Sequence, residues 1–143
     1  MKITKEITFD CAHMLSNYDG KCNNLHGHTY KLQVTLEGKT NKNTYMLIDF
    51  NELKSILDSA VMQKFDHAVI FSGVDVREES ENELLKWVVK YHKKGFILES
   101  GKTTCENMVP YIKEFIKEEL TERDLNFSVS IRLWETPTSF AEA

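Results

Sequence analysis

Proline is scarce in this chain of 143 residues, with two in all, and there is no low-complexity run and no internal repeat. Nothing divides the sequence, so a single domain over residues 1–143 is expected, large enough to build its own core. Cysteine is also scarce. The three thiols, at positions 11, 22 and 105, are too few and too scattered for a disulfide framework. Reduced thiols and a cytoplasmic location are the natural expectation. No basic cluster or arginine-rich stripe is present and the net charge is −4, which argues against nucleic acid as a partner. Apolar runs fall far short of membrane-spanning length, so no membrane partner is expected. The opening residues Met1–Glu6 lack the apolar core of a signal peptide. Apolar and charged contents of 41% and 28% are those of an ordinary soluble globule.

Histidine, by contrast, is concentrated. Three of the five histidines, His13, His26 and His28, fall between residues 13 and 28. His26 and His28 are two apart, so on a strand both rings project from one face, about 7 Å apart at Cα. The apolar residues Tyr30, Leu32, Val34 and Leu36 share their parity, and Ile3, Ile7, Phe9 and Cys11 share that of His13. All three imidazoles therefore extend a buried face, where each needs a polar partner. One metal ion partners all three and keeps a coordination position open, the pattern of catalytic zinc. A closed structural site, with Cys22 as a fourth ligand, is the alternative, and hydrogen-bonded core histidines are another.

Alternation predicts strands over 2–13 and 26–38, joined by a loop over 14–25 rich in turn formers. Tyr45–Ile48 reads as a short extended piece. Asp49 with Glu52 reads as a capping box opening a helix whose stripe is Phe50, Leu53, Ile56, Leu57, Ala60 and Val61, ending near Lys64. Ala68–Phe71 is a short apolar segment. Ser80 with Glu83 predicts a second helix over 81–93, with apolar positions Leu84, Leu85, Trp87, Val88 and Tyr91, stopped by Gly95. Thr103 with Glu106 predicts the capping box of a third helix, in which Pro110 demands a kink or a later start. A last strand over 126–135 carries Phe127, Val129, Ile131 and Leu133 inward, and Pro137 ends it. The layout implies an α+β fold, an antiparallel sheet with helices on one face.

Further polar residues have chemical potential. Asp66-His67 pairs a carboxylate with an imidazole, although sequence neighbours rarely bond to each other. Glu135 continues the inward parity of the last strand, where a carboxylate is costly unless a ligand donates to it. Cys22 next to a dication would be favoured as a thiolate, and a thiolate can serve as base toward an acidified C–H.

Six ordered motifs carry a resemblance. Phe9-Asp10-Cys11-Ala12-His13, Cys22-x-x-x-His26-Gly27-His28-Thr29-Tyr30, Ile48-Asp49-Phe50-x-x-Leu53-Lys54, Phe65-Asp66-His67, Thr104-x-Glu106-Asn107 and Trp134-Glu135-Thr136-Pro137-Thr138-Ser139 together resemble the 6-pyruvoyltetrahydropterin synthase family. The short Cys22-to-His26 spacing is similar to that of its 6-carboxytetrahydropterin synthase branch. The resemblance implies a tunnelling fold (T-fold) with a four-stranded antiparallel sheet, assembled as a homohexamer, a dimer of trimers, with active sites between subunits. It implies a lyase in which His13, His26 and His28 hold Zn2+, Cys22 moves protons, Asp66, His67 and Glu106 complete the relay, and Glu135 and Thr104 bind the pterin. The implied substrate is 7,8-dihydroneopterin triphosphate, cleaved to 6-carboxytetrahydropterin, acetaldehyde and triphosphate for 7-deazaguanine and queuosine synthesis. The pyruvoyl branch, which eliminates triphosphate and keeps the side chain, is the alternative. A pterin-binding scaffold without turnover is a third reading. Residues 72–102 are longer than the matching stretch of compact bacterial members.

Overall fold

Alternation builds the centre of the sheet. In the computed structural model, which describes residues 1–143, strand β1 (Lys2–His13) pairs antiparallel with β2 (His26–Glu37). The register sets Ile7 opposite Leu32, Phe9 opposite Tyr30, Cys11 opposite His28 and His13 opposite His26. Because both strands have a period of two, one face collects Phe9, Tyr30, Leu32, Val34 and Leu36, all buried. Each such side chain contributes about 1.5–3 kcal/mol on burial. Strand β5 (Ser128–Thr136) extends this face from the other side of β2 with Val129, Ile131 and Leu133.

The sheet has six strands in the order β4 (Gly95–Ile97), β3 (Ala68–Phe71), β1, β2, β5, β6 (Ser139–Glu142) and is mixed, which corrects the expected four-stranded antiparallel sheet. β3 (Ala68–Phe71) runs parallel to β1, and β4 (Gly95–Ile97) runs parallel to β3. β6 (Ser139–Glu142) folds back on β5 just past Pro137. These strands are three or four residues long, too short for alternation to announce them. Gly95, expected as a helix stop, lies instead in β4. The left-handed position after the preceding helix is taken by His92, with φ of 52°.

Helices cover the apolar face. α1 (Phe50–Leu57) is capped by Asp49, whose side chain accepts from the Asn51 amide at 2.6 Å. It runs on through a π-helical turn, Asp58–Met62, into α2 (Gln63–Phe65). Leu53, Ile56, Leu57, Ala60 and Val61 are buried as expected, whereas Phe50 is 53% exposed and leaves the stripe. At the first helical position it precedes the point where the helix turns its apolar side inward, and Lys5 lies 5.9 Å over its ring. Tyr45–Ile48 forms no strand. Asn41 accepts from the amides of Asn43 and Thr44, and Tyr45 takes a positive φ of 58°, which winds the segment into a turn.

α3 (Glu79–Lys90) begins two residues earlier than expected. Glu83 bonds Lys86 at 2.6 Å and makes no cap. Of the expected stripe only Val88 is buried, while Trp87 and Tyr91 stand half exposed with ring centroids 5.3 Å apart. Its most buried residue is a carboxylate, Glu81. α4 (Cys105–Glu122) is capped by Thr104, which accepts from the Asn107 amide, so the Thr103–Glu106 box does not form. The helix starts at Cys105 and passes through Pro110 on its exposed side. The Glu106 carbonyl, which loses its donor there, belongs to an exposed residue and can be solvated.

Candidate metal centre and active site

The β1–β2 register decides the geometry of the three histidines. His13 and His26 are directly opposed, and His28 is the diagonal neighbour on the same face. The ring centroids lie 4.6 Å (13 to 26), 4.9 Å (26 to 28) and 5.3 Å (13 to 28) apart. One ring nitrogen from each lies within 4.8 Å of the others. Two backbone carbonyls orient the rings: His13 Nδ1 lies 2.8 Å from the Thr103 carbonyl and His26 Nδ1 lies 2.7 Å from the Asn24 carbonyl. A carbonyl only accepts, so each of these Nδ1 atoms carries a proton and donates it. In the neutral ring that leaves Nε2 as a bare lone pair.

All three Nε2 atoms are buried and have no hydrogen-bond partner. Three partnerless ring nitrogens, two of them fixed as acceptors, are an unusual cost for a core. A single cation in their midst would satisfy all of them, and the oriented Nδ1–H groups are the outer partners expected of metal-bound imidazoles. The residues present therefore fit a metal held by three nitrogens with a further position open. The group of converging ligand atoms comprises the imidazoles alone. The sulfur of Cys22 is not among them, which argues against the closed site of one cysteine and three histidines.

Electrostatics agree with this. Burial pushes the His13 ring below the usual histidine range, and the neighbouring rings add to the effect against the pull of the Thr103 carbonyl and Glu135. Burial likewise lowers His28. Both are thus held in the neutral form that binds a metal. A stability prediction follows by linkage. The unfolded chain takes up protons near pH 6.5 while the folded rings resist, so folding stability rises with pH through this window. The metal-free protein is expected to show a lower urea midpoint at about pH 5 than at about pH 7.5, most of the difference appearing below about 6.5. Equal midpoints would contradict the lowered ring values. Asp66, depressed below the ordinary carboxylate range, contributes only at more acidic pH.

Glu135 reaches the same place from β5. Its Oε1 lies 3.7 Å from His13 Nε2 and 3.9 Å from His28 Nε2, and it accepts from the Tyr30 hydroxyl at 3.2 Å. Burial first, then the surrounding negative groups, keep the Tyr30 phenol protonated far beyond its usual range, so it remains a donor. The sequence marks Tyr30 only as an inward-facing residue and Thr103 only as a helix cap, so neither is expected at the site. Tyr30 shares the inward parity of His28 and was readable on that ground; the Thr103 carbonyl gives no sequence signal.

The remaining candidates are placed unequally. Cys22 lies half-buried in a 3-10 turn, Lys21–Asn23, within the loop from β1 to β2, and its carbonyl accepts from the Leu15 amide at 2.8 Å. Asp66 and His67 do pair, at 2.9 Å between Oδ2 and Nδ1, because His67 adopts a left-handed φ of 59° that folds its ring back. Burial alone would raise the Asp66 carboxyl, but the Asp10 amide, His67 and Lys94 outweigh it. His67 opens onto a cavity of about 460 Å³ that Asp10, Gly27 and Thr29 also line, together with Cys11 and His28. Asp10, Gly27 and Thr29 have the parity of the sheet face away from the helices, whereas Cys11 and His28 have that of the core face. No hydrogen bond or ion pair joins Asp66, His67 or Glu106 to the three imidazoles within the chain. Thr104 caps α4 and Glu106 is exposed in its first turn. Between them Cys105 is buried, donates to the Leu133 carbonyl, and is pushed up to about 11, by burial first and then by Glu135 and Glu106. Cys11, pushed up to about 12 mainly by burial, is an inert core thiol.

Comparison with known proteins agrees with this architecture. The sequence profile of the family described as 6-pyruvoyl tetrahydropterin synthase matches residues 2–143. A 6-carboxy-5,6,7,8-tetrahydropterin synthase of Haemophilus influenzae is 44% identical over 144 residues, covering 99% of this chain and 96% of its own. The enzyme of the same name from Rickettsia bellii is 29% identical over 142 residues, covering 99% of each chain. Among solved structures, 6-pyruvoyl tetrahydropterin synthase of Plasmodium falciparum superposes with a TM-score of 0.72 at 22% identity, covering 100% of this chain and 96% of its own. That of Caenorhabditis elegans gives 0.69 at 22% identity, covering 100% and 94%. The two structures share the fold, with its mixed sheet covered by helices on one face.

Proposed function

The chain belongs to the 6-pyruvoyl tetrahydropterin synthase family, and from that premise we propose that it is a zinc-dependent 6-carboxytetrahydropterin synthase. In this reading it is a carbon-carbon and carbon-oxygen lyase that converts 7,8-dihydroneopterin triphosphate and one water to 6-carboxytetrahydropterin, acetaldehyde and triphosphate. Such an enzyme serves 7-deazaguanine and queuosine synthesis in the cytoplasm. No helix is long and apolar enough to cross a membrane. The observation that carries the reading is the trio of buried, partnerless Nε2 atoms on oriented imidazoles.

His13, His26 and His28 would hold the zinc, for which a neutral three-nitrogen set is suited. When bound, the metal polarises a substrate oxygen and so acidifies the adjoining C–H. Cys22 takes that proton as general base and returns one later as acid. Glu135, held by the Tyr30 hydroxyl, accepts paired N–H bonds from the pterin edge, to which Thr104 at the cap of α4 adds a contact, while Glu106 in the first turn of that helix serves the relay. No hydrogen bond or ion pair joins the Asp66–His67 pair to the imidazoles of its own chain, so its part in the relay would be played against a neighbouring subunit's site. A hexamer built as a dimer of trimers would bring the pair and a neighbour's imidazoles together.

The test is incubation of metal-loaded protein with dihydroneopterin triphosphate, followed by product mass and an acetaldehyde assay. One acetaldehyde per triphosphate released is expected. A product that keeps its three-carbon side chain would assign the pyruvoyl reaction instead. Binding without release of triphosphate would reduce the protein to a pterin-binding scaffold.

A further inference from the structure

The segment over residues 72–102 contains a carboxylate that the proposed chemistry does not use. Glu81 in the first turn of α3 is 0% exposed, yet no cation bonds to it. Its Oε2 accepts from the Ser16 hydroxyl at 2.8 Å and its Oε1 from the Ser72 amide at 2.6 Å. Ser16 is itself buried, and it lies in the loop that carries Cys22. Arg77 closes the network from outside, donating to the Ser72 carbonyl at 3.3 Å and the Asn82 side chain at 2.9 Å.

The same loop is tied at two more points. Lys102 Nζ donates to the Ser16 carbonyl at 2.7 Å, and the buried Thr103 hydroxyl donates to the Met14 carbonyl at 3.1 Å. Thr103 also supplies the carbonyl that orients His13. Residues 14–16 are thus clamped from Glu81, Lys102 and Thr103, and the clamp passes to the thiol through the Leu15–Cys22 backbone bond. A buried carboxylate is a costly way to fasten a surface helix, since bonds to ionised acceptors are strong only at the expense of desolvation. That cost is understandable where the thing fastened must hold a geometry.

We propose that Glu81 is a positioning residue, which braces the Cys22 loop from the 72–102 segment and sets the thiol against the three-imidazole site. The proposal rests on the reading of Cys22 as the working thiol. Its test compares full-length, metal-loaded wild type, Ser16→Ala, Glu81→Ala, Glu81→Gln and Cys22→Ala. Turnover is measured, and hydrogen exchange is followed in residues 14–25 and in the strands. Ser16→Ala and Glu81→Ala are expected to lower kcat about tenfold or more, as misplacement of a reacting group does, with KM within about twofold. Exchange across 14–25 should quicken while β1 and β2 stay protected. Glu81→Gln keeps an oxygen for the Ser72 amide and an amide partner for the Ser16 hydroxyl, so it should retain at least about half of kcat. If Glu81→Ala does not fold, Ser16→Ala decides. Unchanged exchange over 14–25 in folded Ser16→Ala overturns the brace; quickened exchange with unchanged kcat overturns its catalytic purpose. Turnover by Cys22→Ala would instead sink the thiol reading, whatever exchange shows.

Discussion

His26→Ala is expected to leave a folded protein that no longer retains stoichiometric zinc and whose turnover falls at least about a thousandfold, the several kcal/mol that a Lewis-acid metal supplies to developing charge. The site has three nitrogens that share one cation, and two imidazoles do not make the closed face that three do. His26 is the right ring to remove because His13 is 1% exposed and its loss would also open the core. A ligand that binds only the folded state adds RT ln(1 + [L]/Kd), about 4 kcal/mol at a thousandfold excess over Kd. For a chain of 143 residues that corresponds to a Tm rise on the order of 10 °C in the wild type. The rise should vanish in His26→Ala, whereas the Tm of the two metal-free proteins should be similar. A variant that keeps its metal and its zinc-dependent Tm rise would show that the imidazoles converge for another reason.

Cys22→Ala should behave in the opposite way toward the metal. Its sulfur lies outside the group of converging ligand atoms, so one zinc per chain and the full Tm rise are expected to remain. Turnover should fall by about 10²–10⁴, the usual contribution of a positioned proton-transfer group. Metal loss together with unfolding would revive the closed structural site with four protein ligands. Read together, the two variants separate holding the ion from moving the proton, which no single substitution does.

Much of this was legible from periodicity. The parity of His13 with Phe9 and of His28 with Tyr30 put the imidazoles on the face that became the core, and β1 and β2 fall close to where alternation drew them. Glu135 was readable as an inward carboxylate for the same reason. The misreadings share a cause. Phe50 and Trp87 look like core residues on a helical wheel, but a wheel says nothing about where a helix sits against the sheet. Thr103 resembles a cap, but tertiary contact with Met14 and His13 claims its hydroxyl and carbonyl, and Thr104 caps instead. Glu81 gives no sequence signal at all, because charge normally means surface; its burial comes with the approach of Ser16, sixty-five positions earlier.

By itself the chain's order of residues determined the two long strands, the shared face of the three histidines and the family to which it belongs, because each depends on local spacing that a strand's period converts directly into direction. The tertiary structure alone decided the rest. It determined which carbonyls turn the His13 and His26 rings so that three partnerless nitrogens converge, how Asp66 and His67 come to pair, and which buried carboxylate grips the loop of the thiol. Those outcomes depend on where segments distant in sequence come to lie in space, and spacing along a chain does not encode that distance.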